Sequence, residues 1–479
     1  MKSNSLLILS GALVFAACGG GSEQVAGIDA RGTPTPVASV VSKGTLTSFG
    51  SVIVNGVTFD TSSATFTIDG SAGSQSDLAV GQVIVVQGEL GDDPTTGTAD
   101  SVTFDDAVEG PISGIDTAMS TFTVLGQTVR VDADTSFDDS ISPASLEGLN
   151  VDDIVEVSGF FLTDGSIAAT RIELKLAGSE FELTGIVSNV VGTTFEINGF
   201  VVDFSNANEV IGFPTGTPED GQLVEAKGAT PGGSAGPLVA TRVEFKGGDF
   251  GAEGDRGELE GFITRFDVTT PTDFDVEGVP VMTNAQTVFE PPGSDPALNR
   301  KVEVEGDINA AGVLVATRVE IKASGFLRFE ALVEDVQADR LTLLGIVIRV
   351  NESTRYEDKS DENREPFNLS HVDGGNFVEV RGFEDAGGVV ATRLEREDLV
   401  DFTGEVALRG FVDAGSASDP DFTILGVAVT TFGATVFRDL DGTEIDRADF
   451  FPDAEGSLVE ASGTWNGSTI TASEVQFEN

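Results

Sequence analysis

Among its 479 residues the chain has one cysteine, one histidine, one tryptophan and one tyrosine. Each scarcity closes off some chemistry. A lone thiol forbids an intramolecular disulfide. One histidine (His371) and one cysteine (Cys18) leave no set of soft ligands for zinc or another transition metal. One Tyr (Tyr356) and one Trp (Trp465) offer little surface for stacking sugars or bases. Positive charge is scarce too: 27 Lys and Arg, eight of them Lys, face 79 Asp and Glu, for a formal net charge of −52. A field of that sign repels nucleic acid and anionic headgroups, and it attracts cations or a basic protein partner. The plainer consequence of the carboxylates is solubility.

Long apolar runs are missing as well. The uncharged run at residues 6–17 follows Met1-Lys2 and is too short to cross a bilayer as a helix. It has the length of a signal-peptide core, so residues 1–17 are expected to be a signal peptide. Val14-Phe15-Ala16-Ala17-Cys18-Gly19 then resembles a bacterial lipobox, with Phe15 where an aliphatic residue is usual. That resemblance implies lipidation of Cys18, a membrane held only through the lipid anchor, and, with Gly19 after the Cys, sorting to the outer membrane of the cell envelope. Residues 18–42 are rich in Gly, Ser, Ala and Thr, carry Pro34 and Pro36, and read as the lipidated Cys and a flexible tether.

What the chain has in abundance is repetition. Val315-Ala316-Thr317-Arg318-Val319-Glu320-Ile321 recurs as Ala169-Thr170-Arg171-Ile172-Glu173, Ala240-Thr241-Arg242-Val243-Glu244 and Ala391-Thr392-Arg393-Leu394-Glu395. Degenerate copies lie at Thr98-Ala99-Asp100-Ser101-Val102 and Thr471-Ala472-Ser473-Glu474-Val475. The chain therefore divides into six units, at residues 43–106, 108–176, 180–246, 257–322, 327–395 and 401–477. In unit two, five stretches alternate apolar and polar residues, the period of a half-buried strand: 110–115, 121–126, 128–132, 154–159 and 169–174. Leu125-Gly126, Asn198-Gly199, Glu277-Gly278, Leu344-Gly345 and Leu425-Gly426 fall between strands two and three, where a tight hairpin needs the positive φ that Gly supplies. The longest insertion separates strands three and four. That is the plan of a five-stranded OB-like barrel, and the expected fold is all-β, a tandem array of about six such barrels. Units of this length are too long for solenoid coils, and each buries only a modest core, to which the 33 Phe contribute.

Period-two geometry puts Thr170, Ile172 and Leu174 on the inner face of the last strand and Ala169, Arg171 and Glu173 on the outer. Arg171, Arg242, Arg318 and Arg393 are then exposed, within cross-strand reach of Glu156, Glu225, Glu303 and Glu379, as register markers. Residues 247–256, with four Gly, are expected to hinge the first three units against the last three. The repeated phrase and the lipobox together resemble the tandem OB-like domains of unknown function found in bacterial lipoproteins, the DUF5666 family. The resemblance covers units two to five well and units one and six weakly. It implies export and repetition and brings no catalytic residues.

No catalytic site emerges from the residues. Ser370-His371-Val372-Asp373 cannot converge as a triad from adjacent positions. Gly232-Gly233-Ser234-Ala235-Gly236 has the letters of a nucleophile elbow without its strand-to-helix context. Asp439-Leu440-Asp441-Gly442 fails as an EF-hand, since Phe437 and Ala448 stand at the first and twelfth ligand positions. Asp132, Asp134, Asp138 and Asp139 form a further acidic cluster that calcium could use. The expectation is a non-enzyme with no cofactor: an extended cell-envelope spacer or interaction module. The alternative is a calcium-dependent adhesin or ligand-binding protein.

Overall fold

The computed structural model describes residues 38–49, 51–176, 178–230, 236–248, 250–266, 273–323, 325–440 and 442–478. The expected signal peptide, Cys18 and the tether up to residue 37 lie outside them, as do residues 232–235 and Asp441. No described helix is long and apolar enough to cross a membrane.

The chain is all-β, and each unit closes its sheet in the order one-two-three-five-four-one. In unit two, strand one (Val108–Asp116) pairs antiparallel with strand two (Thr121–Val124) and strand four (Ile154–Phe161). Strand two pairs with strand three (Gln127–Arg130), and strand five (Ile167–Leu174) lies parallel to strand three and antiparallel to strand four. Unit four repeats this with Arg256–Phe266, Asp273–Val276, Val279–Met282, Lys301–Ile308 and Leu314–Ile321. Unit one begins at Ser39, within the segment expected to be tether.

All six hairpins between strands two and three use the same turn. Both central residues have positive φ in Asn55-Gly56, Leu125-Gly126, Asn198-Gly199, Glu277-Gly278, Leu344-Gly345 and Leu425-Gly426, the two-residue turn whose twist matches the strands. A leucine pays a steric cost there of about 1–2 kcal/mol. Leu125 and Leu344 offset it by burying their side chains in the core. The insertion between strands three and four adds a short strand that runs parallel to strand five, as with Ser136–Phe137 and Arg355–Asp358. Among the described residues an α-helix stands there in unit six alone, at Arg447–Ala454. The Phe residues expected in the cores are there, with Phe59, Phe122, Phe195, Phe274, Phe329 and Phe422 fully buried.

The repeated phrase is not a regular strand. In every unit the pairing of strands four and five slips by one residue between a glycine of strand four and the residue before it: Gly88, Gly159, Gly228, Gly306, Gly382 and Gly463. The slip is a β-bulge at the residue following the Ala of the phrase. It resets the alternation, so Ala240 and Val243, three apart, both face the core, and so do Ala169 and Ile172. Of the expected inner set, Ile172 and Leu174 hold and Ala169 takes the place of Thr170. The glycine is required because a Cβ at any of the six would lie 2.1–2.4 Å from the carbonyl oxygen across the bulge.

The units do not follow one another in a file. Units two and three share a sheet through antiparallel first strands (Val108↔Leu183), and units five and six do the same (Phe329↔Leu408). Unit one pairs with unit four through parallel first strands, Val40↔Arg256 to Lys43↔Leu259. Buried cores are continuous across units two and three and across units five and six. Residues 38–479 form one compact unit. The expected hinge at 247–256 is corrected: strand pairing crosses between the two halves, and a Cβ on Gly251 would strike both Val41 and Ile308.

Candidate ligand-binding cavity

The four arginines of the phrase meet two fates. Arg242 and Arg318 stay half-exposed, on Glu209 and Glu244, and on Glu290, Glu303, Glu305 and Glu320. Arg171 and Arg393 are only 6% and 5% exposed, which corrects the outward placement. Neighbouring units cover them. Arg171 donates to the Val80 carbonyl of unit one at 3.0 Å and reaches Glu357 of unit five. Arg393 donates to the Thr135 carbonyl of unit two at 2.7 Å. The expected strand-four partners hold for Arg318 with Glu303 and Arg393 with Glu379; Glu156 and Glu225 take Lys175 and Lys246 instead.

This covering packs units one, two, four and five around a cavity of about 310 Å³. Its walls include strand one of units one and four (Thr45, Thr47, Glu260, Phe262) and the phrase itself in units two and five (Ala169, Thr170, Ala391, Thr392). A device not anticipated from sequence shapes two of its corners. After strand three, Thr135 donates to the Ala169 carbonyl and Thr354 to the Ala391 carbonyl, both at 2.8 Å, tying the insertion to the bulge. Thr287 and Thr435 do the same to Ala316 and Ala472 at 2.7 Å. The signal was a Thr three residues after Asp132, Asn284 or Asn351, where the hydroxyl also accepts that residue's own N–H.

Four cations line the cavity, Arg300, Lys301, Lys322 and Arg355, against the carboxylates Asp132, Asp134, Glu260, Glu303 and Glu320. In a chain of net charge −52 this is a nearly balanced wall. Lys301 sits 2.7 Å from Glu260 and over the Phe160 ring, and the Thr45 N–H donates to Glu260 at 2.7 Å. Burial works against the Glu260 charge, but Lys301, with the Thr45 N–H and Lys322, outweighs it and holds the carboxyl at about 2. Lys322 bridges Glu303 at 2.7 Å and the Ser353 hydroxyl at 3.1 Å. Burial lowers the pKa of Arg355, which donates to the Thr170 and Asp134 carbonyls and, among the described residues, has no carboxylate in salt-bridge contact.

The acidic cluster expected from sequence is dispersed among separate partners. Asp132 accepts the Asp134 N–H, while Asp134 accepts the Gly325 N–H and the Thr392 hydroxyl. Burial pushes the Asp134 pKa up, and Arg355 with these donors brings it below the usual value. Asp138 faces Arg171 at 3.8 Å and Asp139 pairs with Lys359 at 2.7 Å. Among the described residues, carboxylates converge instead around Asp106, as Asp69-Asp106-Glu182 and Asp106-Glu109-Glu156. His371 and Ser370 cap a short turn: the Asn368 N–H donates to His371 Nδ1 at 3.2 Å and the Ser370 hydroxyl to Asn368 Oδ1 at 2.7 Å. Neither engages Asp373 in a triad. Asp439 accepts the neighbouring Leu440 N–H at 2.8 Å.

Closed five-stranded sheets with parallel third and fifth strands, repeated six times, define a tandem array of OB-like barrels. The chain belongs to the family described as Domain of unknown function (DUF5666), whose model matches at residues 40–102, 109–173, 184–244, 260–320, 330–395 and 409–476. No curated protein matches the chain. A solved structure of Drosophila Unr CSD456 is similar at 12% identity, over 45% of this chain and 97% of that one, with a TM-score of 0.11. That similarity adds nothing to the fold already described.

Proposed function

We propose that the chain is a non-enzymatic protein of the bacterial cell envelope, lipid-anchored through Cys18, whose six barrels act as one interaction module. Within it, the cavity between units one, two, four and five binds a small polar ligand carrying both charges. The observation that carries this reading is the concentration of four cations in the wall of one cavity, in a chain with 27. Interleaved Phe160, Phe262 and Phe383 add the apolar surface that ligand sites combine with a few placed polar groups. The compactness of residues 38–479 favours an interaction module over an extended spacer.

Native mass spectrometry of the purified chain tests the cavity. A retained small molecule is expected, and Ser353→Trp, which enlarges a cavity-lining side chain, should release it. A chain that arrives and stays ligand-free, with Ser353→Trp indistinguishable from the parent, would sink the reading. The anchor is tested separately: Cys18→Ser should abolish metabolic labelling with a fatty acid and move the protein from the membrane to the soluble fraction.

A further inference from the structure

Units two and three pair their first strands so that glutamates stand side by side across the sheet. Glu173 is opposite Glu156, Glu156 opposite Glu109, and Glu109 opposite Glu182. Like charges directly opposite one another are destabilising, so such a row needs a compensating charge.

The corresponding sheet of units five and six shows how one row is compensated. There Glu395 is opposite Glu379 and Glu379 opposite Glu330. Arg328, two residues before Glu330, reaches Glu330, Glu379 and Glu460, and Arg381 and Arg393 add further cations at Glu379. In unit two the residue two before Glu109 is Ala107, and the residue matching Arg381, one before the bulge glycine, is Ser158. Three lysines lie around the row: Lys175 at Glu156, Lys227 at Glu182 and Glu225, and Lys246 at Glu225 and Asp105.

These lysines pair with Glu156, Glu182 and Glu225, and one further carboxylate, Asp106, has no salt-bridge partner of its own among the described residues. Asp106, in the short connection between units one and two, is 3% exposed, and neither of its side-chain oxygens has a hydrogen-bond partner. Oε1 of Glu109 is likewise buried and without one. Oxygens of Asp106, Asp69 and Glu182 lie within 4.8 Å of one another, and so do oxygens of Asp106, Glu109 and Glu156. Oxygens that share one calcium, each about 2.4 Å from it, lie no more than about 4.8 Å apart, and both sets meet that limit.

We propose that Asp106, together with these flanking carboxylates, binds a hard divalent cation at the junction of units one, two and three. All-oxygen, carboxylate-rich ligation selects Ca²⁺ or Mg²⁺ over softer metals. The ion does for this sheet what Arg328 does for the other, and it ties the first three units together. The inference is independent of the central cavity.

The full chain, stripped of metal, is titrated with Ca²⁺ and with Mg²⁺ at high ionic strength, which screens weak binding to surface carboxylates. The expected result is one retained ion per chain by elemental analysis, with a rise in Tm that a chelator reverses. Asp106→Asn should lower the affinity by more than about tenfold and abolish the Tm response, and Glu109→Gln should weaken both. Glu209→Gln, at the exposed partner of Arg242, should leave both intact. Three outcomes would overturn the proposal: no ion retained by the parent chain, binding that high salt removes, or binding that Asp106→Asn leaves unchanged. A metal-insensitive parent whose Tm increases on Asp106→Asn would show that the cluster shares protons instead.

Discussion

The Arg393 guanidinium of unit five donates to the Thr135 carbonyl of unit two at 2.7 Å, across 258 residues of sequence. The same Thr135 hydroxyl donates to the Ala169 carbonyl, so one residue joins the bulge of its own barrel to the arginine of another.

Arg393→Ala should therefore destabilise the protein strongly. It leaves the buried Glu395 without its cation, and breaking one side of a buried pair costs about 3–5 kcal/mol. Arg242→Ala, on the half-exposed copy of the same phrase, should cost only about 0.2–1 kcal/mol. Urea denaturation of the two variants compares them directly; equal losses would contradict the different burial of the two arginines.

The bulge glycines are expected to tolerate no side chain. Gly228→Ala or Gly463→Ala places a methyl 2.1 Å from a backbone oxygen, which the strand can relieve only by breaking the bulge. A loss of roughly 2–4 kcal/mol or failure to fold is expected. Gly114→Ala, in the first strand of unit two with nothing within 4 Å of the new Cβ, should change stability by about 1 kcal/mol or less.

Stability should fall as pH rises from about 4.5 to about 8. Burial first, and Glu305 beside it, push the Glu258 carboxyl from 4.5 up to about 8. Burial likewise pushes Glu397 to about 7. A carboxyl whose pKa is raised on folding binds its proton more tightly in the native state. Its contribution is complete below the unfolded pKa and is lost as pH rises through the folded one. Glu258→Gln should flatten part of this slope, by on the order of 1–3 kcal/mol across the window. Tm measured against pH for the parent and the variant checks both sign and size.

Solution scattering of residues 38–479 should give a radius of gyration near about 22 Å, the value for a compact chain of that length. A file of separate barrels would give a far larger value. Severing the parallel pairing of Val40 and Val41 with Arg256 and Gly257, by Val41→Pro, should enlarge it, since proline removes a ladder donor.

Much of each barrel was legible in the chain. The alternation of Ile154-Val155-Glu156-Val157 declared a strand, and Leu125-Gly126 declared a hairpin, because both depend on neighbours a few residues away. The bulge was written there too: Leu238, Ala240 and Val243 are spaced by two and then by three, which a regular strand cannot bury on one face. The Asp106 site was not legible, since its carboxylates come from three units and Asp106 itself lies in a connection with no periodic pattern.

The sequence by itself determined the repeat number, the strand period, the turn positions and the charge, all properties of short segments. Only the tertiary structure decided that unit one pairs with unit four, and that Arg171 and Arg393 are buried while Arg242 and Arg318 are not. The four arginines stand in nearly identical phrases, and their environments differ because other barrels cover two of them. Burial of that kind depends on which surfaces meet, and no local pattern encodes it.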